Sequence, residues 1–178
     1  MIEVSHFSFS ILKKGVAQIG MLVKDLDATV EKYWKVFGIG PWHFFTYRKP
    51  MVKEMTYYGK PANYSMRLAL SYLGSMRIEL IEPAEGESIY HDFVREHGYG
   101  LHHLGLLTDN MHASLAEAEA AGFKMIMDGA GFGLDGDGHY AYLDTEKEIG
   151  ITVELIERPK GRLKPDRIYP PEKELSSR

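Results

Sequence analysis

The sequence contains no cysteine. That excludes disulfides, thiolate metal sites and a cysteine nucleophile, and it suits a cytoplasmic location. A basic excess is also missing. Against 25 Asp and Glu stand 21 Lys and Arg, for a formal charge of −4 and a pI near 6.1. Nucleic-acid binding would call for the opposite balance. No apolar run approaches the roughly 20 residues of a membrane span. Lys13 and Lys14 follow the first apolar residues rather than precede them, so the N-terminal stretch does not read as a signal peptide. What is present is 178 residues, 44% of them hydrophobic. That suits one domain, or two small repeats sharing a core.

The repeats are visible. Gln18-Ile-Gly-Met-Leu-Val, followed by a helical stretch ending Val36-Phe37-Gly38, recurs as His103-Leu-Gly-Leu-Leu-Thr, followed by one ending Ala121-Gly122-Phe123. Met76-Arg-Ile-Glu79-Leu-Ile-Glu recurs as Ile151-Thr-Val-Glu154-Leu-Ile-Glu. Each copy thus offers one donor from its first strand and one from its last: Gln18 and Glu79, then His103 and Glu154.

Each copy reads β-α-β-β-β. Residues 16–23 are apolar and short, as a strand is. Asp25 and Asp27 cap a helix carrying Val30, Tyr33, Trp34 and Phe37, and Gly38 and Gly40 stop it. Asp109 and Asn110 take the same place before Met111, Leu115 and Ala118. Further strands are expected over 42–47, 65–73 and 76–81, and over 124–127, 140–144 and 152–156. The expected fold is α+β, two tandem βαβββ modules forming a curved mixed sheet around a metal-binding cleft. The divisions are an N-terminal extension (1–15, a strand or an arm that packs on a partner), a first module (16–83), a linker (84–100) with a short helix over 89–97, a second module (101–157) and a C-terminal tail (158–178). Charge and four prolines predict that this tail is extended and has no core role.

Gln18 and His103 are 85 positions apart, and Glu79 and Glu154 are 75 apart, so the first copy is ten residues longer inside. The extra length falls in the aromatic stretch 40–64. Residues 48–67 add Arg48, Lys49, Lys53, Lys60 and Arg67 against the single acid Glu54. Core packing is the simplest use of the rings. A substrate wall is the second, with Trp42, Arg48, Tyr58, Arg67, His139 and Tyr140 as candidate contacts.

Strand alternation places Ile78 and Leu80 on one face and Glu79 with Arg77 on the other. Val153 and Leu155 oppose Glu154 in the same way. Either glutamate alone would read as the wet side of a sheet. His103 alone would read as structural, and adjacent His102 as packing on the opposite side. Gln18 in an apolar strand needs polar partners. Jointly, two carboxylates, an imidazole and an amide oxygen suit a divalent ion with open positions. Other motifs are weaker. Gly131-Phe-Gly-Leu-Asp-Gly136 matches G-x-G-x-x-G, but a strand follows it instead of a helix. Asp135 and Asp137 have partial calcium-loop spacing, with Tyr140 where the turn glycine belongs.

On Gln18-Ile-Gly, Gly100-Leu-His-His103-Leu-Gly and the two Glu-Leu-Ile-Glu strands, the chain resembles the vicinal-oxygen-chelate superfamily of glyoxalase I, methylmalonyl-CoA epimerase and extradiol dioxygenases. Gly-x-His-His and Ile-Glu-Leu-Ile-Glu-Pro are most similar to the epimerase branch, whereas glutamine at position 18 is similar to zinc-type glyoxalase I. The resemblance implies metal ligands at Gln18, Glu79, His103 and Glu154. Zinc is the first choice of ion, with manganese, cobalt, nickel and magnesium as alternatives.

The expected activity is that of a metal-dependent isomerase, epimerase or lyase that removes a proton next to a carbonyl through a stabilised enolate. Glu154 is the first candidate base and Glu79 its counterpart. The expected partners are a small carbonyl substrate, an acyl-CoA or aromatic acid included, and a second copy of the chain in a homodimer, with no nucleic acid or membrane. The alternatives are a metal-dependent oxygenase and a non-catalytic small-molecule binding or resistance protein.

Overall fold

A computed structural model describes residues 14–171; the arm or strand expected before residue 14 lies outside them. The first module runs β1 (Gln18–Leu22), α1 (Leu26–Phe37), β2 (Trp42–Tyr47), a hairpin of β3 (Glu54–Tyr57) and β4 (Lys60–Pro61), β5 (Met66–Leu73) and β6 (Met76–Pro83). Helix α2 (Ile89–His97) follows. The second module is β7 (Gly100–Thr108), α3 (Met111–Ala120), β8 (Met125–Ala130), β9 (His139–Leu143), the short α4 (Glu146–Ile149) and β10 (Thr152–Glu157). A last strand, β11, spans Arg167–Tyr169. The fold is α+β, with one curved, open mixed sheet. No helix among the described residues is long and apolar enough to cross a membrane.

The strand order is β11-β2-β5-β6-β1-β7-β10-β9-β8-β3-β4. Its middle is two copies of one pattern set back to back, β2-β5-β6-β1 against β7-β10-β9-β8. The copies join through antiparallel β1 and β7, with Gln18 opposite Gly105 and Gly20 opposite His103. Within each copy the first and last strands pair in parallel, β1 with β6 and β7 with β10.

The long helix of each module, α1 and α3, starts where the sequence supplies acceptors. The side chain of Asp25 accepts from Ala28 N at 2.9 Å, and that of Asn110 accepts from Ala113 N at 3.0 Å. The two Glu-Leu-Ile-Glu strands add a second device. Glu82 Oε2 accepts from Leu26 N at 2.7 Å, and Glu157 Oε2 accepts from Met111 N at 2.6 Å. A carboxylate at the positive end of a helix is favourable. Each strand therefore turns its first glutamate into the cleft and uses its second, on the other face, to seat a helix. Gly38, at φ 67°, ends α1 in the left-handed conformation.

The outer face of the sheet packs on the helices. Ile78 and Leu80 join Leu26, Val30, Trp42 and Phe44 against α1, and Val153 and Leu155 join Leu106, Met111 and Ala118 against α3. The inner face carries a third cluster that includes Phe45, Tyr64, Leu70, Ile81, Tyr90, Met127, Tyr140 and Tyr142. Both outer edges are covered by segments of the opposite half. The β3–β4 hairpin inserted in the first module pairs through β3 with β8, and β11, which follows the second, pairs with β2. Free sheet edges are liabilities that proteins cover in this way. The segment after residue 157 is thus more than an extended tail. Tyr169 packs on the α1 cluster, Pro170 is buried, and Arg167 lies 3.9 Å over the Phe44 ring. Arg167 also pairs with Asp27, and Asp166 accepts from Thr46 Oγ1 at 2.9 Å.

Candidate metal centre

Four neighbouring strands each place one donor on the inner face: Glu79 from β6, Gln18 from β1, His103 from β7 and Glu154 from β10. All four are buried, His103 completely. Gln18 Nε2 donates to Glu79 Oε2 and to Glu154 Oε2, both at 2.9 Å. His103 Nε2 lies 3.3 Å from each of these oxygens and 3.4 Å from Gln18 Nε2. Donors bound to one ion at about 2.1 Å stand roughly 3.0–3.4 Å apart along the edges of an octahedron or tetrahedron. The observed spacings fall at that scale.

Glycine makes this approach possible. A Cβ on Gly20 would stand 1.9 Å from His103 Cε1, and one on Gly105 would stand 2.8 Å from Gln18 Cβ and 3.2 Å from Glu154 Oε2. The glycine of each repeat motif therefore clears room for the donor of the other.

Burial alone would lower the pKa of His103. The charge and hydrogen bonds of Glu154 and Glu79 outweigh it and raise the pKa to about 9. Burial, then the charges of His103 and His97, hold His102 well below the ordinary histidine value. Neutral His102 can thus accept at Nδ1 from His103 Nδ1, 2.9 Å away. This leaves His103 Nε2 turned to the carboxylates, the arrangement by which a ligating histidine is oriented. His102 packs as the sequence suggested, among Tyr90, Phe93 and Tyr142, and orients its neighbour as well.

The donor set fits a divalent ion at Glu79, His103 and Glu154, whose donor atoms lie within 4.8 Å of one another. Gln18 is arranged differently. Arg77 Nε donates to its Oε1, so the amide nitrogen, not the oxygen, faces the carboxylates. Ligation by Gln18 requires the amide to turn over, against the guanidinium of Arg77.

The centre opens into a cavity of about 50 Å³, room for about four water-sized groups. Phe45, Tyr47, Met51, Phe132 and Tyr140 form its aromatic and apolar wall, and Arg77, Arg158 and Arg162 its basic one. Tyr47 is raised in pKa by burial and then by the charge of Glu79, which keeps its phenol protonated. Tyr140 and Tyr142, also raised by burial, bond to Tyr64 and Tyr90 at 3.0 and 2.9 Å.

Of the six residues expected to contact substrate, Tyr140 alone lines this cavity. Trp42 is buried beneath α1 and donates to Ile39 O at 2.6 Å. Arg67 pairs with Asp27 at 2.5 Å and Glu82 at 3.2 Å. His139 pairs with Asp128 at 2.7 Å. Arg48 lies along an outer groove, and Tyr58 borders a separate depression beside α2. The basic wall of the cavity is therefore not drawn from 48–67: Arg48 and Lys49 lie along the outer groove, and Arg67 is neutralised by Asp27 and Glu82. Arg77 was within reach of the sequence, since it shares a strand face with Glu79. Arg158 and Arg162 were hidden in a segment that composition marks as a tail.

Comparison with known proteins places the chain. A sequence model of the Glyoxalase/Bleomycin resistance protein/Dioxygenase superfamily matches residues 17–142. The chain belongs to this superfamily. The match spans Gln18, Glu79 and His103 and stops before Glu154 on β10. Solved structures of low sequence identity share this chain's fold. Methylmalonyl-CoA epimerase from Mycobacterium tuberculosis is similar at 20% identity and a TM-score of 0.61, covering 82% of this chain and 89% of that one. A variant of the Streptomyces coelicolor methylmalonyl-CoA epimerase in complex with 2-nitronate-propionyl-CoA is similar at 21% identity and a TM-score of 0.60, covering 83% and 96%. Over 96 residues the chain is 31% identical to the uncharacterized protein YqjC of Bacillus subtilis (strain 168), which covers 54% of this chain and 67% of that protein.

Proposed function

We propose that this superfamily member is a metal-dependent isomerase, epimerase or lyase that moves a proton on a carbon next to a carbonyl. The observation that carries the reading is the convergence of Glu79, His103 and Glu154, buried and within 4.8 Å, at the wall of a cavity with apolar sides. A divalent ion, zinc as first choice, would be held by these three residues, with Gln18 as fourth if its amide turns, and would stabilise negative charge developing on the substrate oxygen.

The chain's own residues supply the rest. Glu154 takes the proton, and because it remains beside the same carbon it can return it. Glu79 stands opposite across the donor cluster and can serve the other face. Tyr47, kept protonated, donates to the substrate. Phe45, Phe132 and Tyr140 hold an apolar body and exclude water. An acyl-CoA remains compatible if its carrier lies outside, since the cavity accepts only the reacting end. One imidazole with two carboxylates differs from the two-histidine, one-carboxylate iron set of oxygenases.

Turnover of a substrate in deuterium oxide, followed by NMR, tests this. Label is expected at the carbon next to the carbonyl, with Glu154→Gln lowering kcat by orders of magnitude. Unlabelled product together with near-normal turnover in both Glu154→Gln and Glu79→Gln would sink the mechanism.

A further inference from the structure

Three arginines converge on the cavity without a counter-charge. Elsewhere Arg67, Arg95 and Arg167 each pair with a carboxylate. Among the described residues no acid lies within ion-pair distance of Arg77, Arg158 or Arg162, though all three line the cavity beside Glu79 and Glu154. Arg77 is only 5% exposed, and the sole hydrogen bond of its side chain is from Nε to Gln18 Oε1. The two remaining amino groups of its fork have no acceptor. They open to the cavity, where a planar fork with free donors is well placed to receive an anionic oxygen pair. Partial desolvation, then the like charge of Arg77, lowers the pKa of Arg162 from its ordinary value. Tyr47 adds a protonated phenol with no acceptor of its own.

The tail that brings Arg158 and Arg162 is fastened at both ends. Lys160 N donates to Asp137 Oδ2 at 2.8 Å, and Leu134 N donates to Gly161 O at 2.9 Å. Beyond Arg162, Asp166 N donates to Phe44 O at 2.8 Å, and β11 pairs with β2. The basic wall is thus built before any ligand arrives. With a divalent ion balancing Glu79 and Glu154, the buried guanidinium of Arg77 and the solvent-exposed ones of Arg158 and Arg162 border the cavity without a carboxylate partner among the described residues.

We infer that Arg77, Arg162 and Tyr47, with Arg158 at their side, form a subsite for a carboxylate carried by the substrate close to its reacting carbon. The inference rests on Glu79, His103 and Glu154 being the reacting centre. It names the substrate class as small carbonyl compounds bearing a carboxylate, with an apolar body against Phe45, Met51 and Phe132. An arginine fork recognises carboxylate and phosphate alike, so the test separates them.

Calorimetry on the full chain would measure binding of malonate, of its dimethyl ester and of inorganic phosphate to chelator-treated protein, with zinc binding titrated separately. Malonate is expected to bind at least tenfold more tightly than the ester or phosphate. Arg162→Ala should weaken malonate at least tenfold and leave zinc affinity within about twofold. Arg77→Met should weaken malonate likewise, with circular dichroism confirming the fold of both variants. Malonate binding that is absent, or unchanged in both variants, would overturn the subsite. Phosphate binding more tightly than malonate, and lost in Arg162→Ala, would overturn the carboxylate in favour of a phosphorylated substrate. Malonate binding that depends on Arg162 in a protein that takes up no zinc would support the subsite and remove the metal reading instead.

Discussion

Gly20 and His103 face each other across the antiparallel β1–β7 pair, with room between them for a hydrogen but not for a methyl group. The imidazole lies over the glycine of the other repeat, and this contact fixes its distance from both carboxylates.

Gly20→Ala should therefore behave as a metal-site variant although it removes no polar group. The added methyl must push the ring or the strand aside, at a cost of about 1–3 kcal/mol for overpacking. Zinc affinity is expected to fall at least tenfold, with a lower denaturation midpoint. Unchanged zinc binding would show that His103 does not hold the ion. Gly105→Ala, whose Cβ meets Gln18 at 2.8 Å, should be the milder of the two.

Direct removal of donors should be cleaner. His103→Ala and Glu154→Ala are each expected to lose most of the bound ion, about one per chain in the unaltered protein, while the chain stays folded. Full occupancy in both variants by elemental analysis would remove the centre as drawn.

The raised pKa of His103 sets a pH dependence. In the metal-free protein His103 is protonated up to about pH 9, and an ion must displace that proton. Apparent zinc affinity should rise about tenfold per pH unit between pH 6 and 8. A flat profile would mean that His103 is not a ligand. Stability of the metal-free protein runs the other way. A histidine raised above its unfolded value of about 6.5 stabilises the fold fully below that pH. This contribution is lost as pH rises through about 9. The melting temperature of chelated protein should fall by several degrees between pH 6.5 and 9.5, and His103→Gln should flatten that fall.

Arg67 should contribute to stability, not to substrate binding. It joins Asp27 and Glu82 at the start of α1, on the half-exposed outer face. Arg67→Ala is expected to cost less than about 1 kcal/mol, as such pairs do, and to leave KM unchanged. A several-fold rise in KM would return the stretch 48–67 to the substrate wall.

That Gln18, Glu79, His103 and Glu154 meet on the inner face could be read from the chain alone, because the duplication repeats their surroundings and strand alternation is a local property. The βαβββ modules and the capping roles of Asp25 and Asn110 were legible for the same reason. Alternation even put Arg77 on the face of Glu79. It could not tell that Arg77 lacks an acid partner and turns the Gln18 amide, since that depends on which strands become neighbours. The charged stretches were the least legible. Residues 48–67 and 158–171 have similar basic, proline-containing composition, yet the sheet leaves Arg48 outside and pairs off Arg67, while β11 on β2 carries Arg162 over the cavity. Composition fixes how many charges a segment holds. Only long-range strand pairing decides which of them reach the inner face, because that pairing sets the path of the backbone between elements distant in sequence.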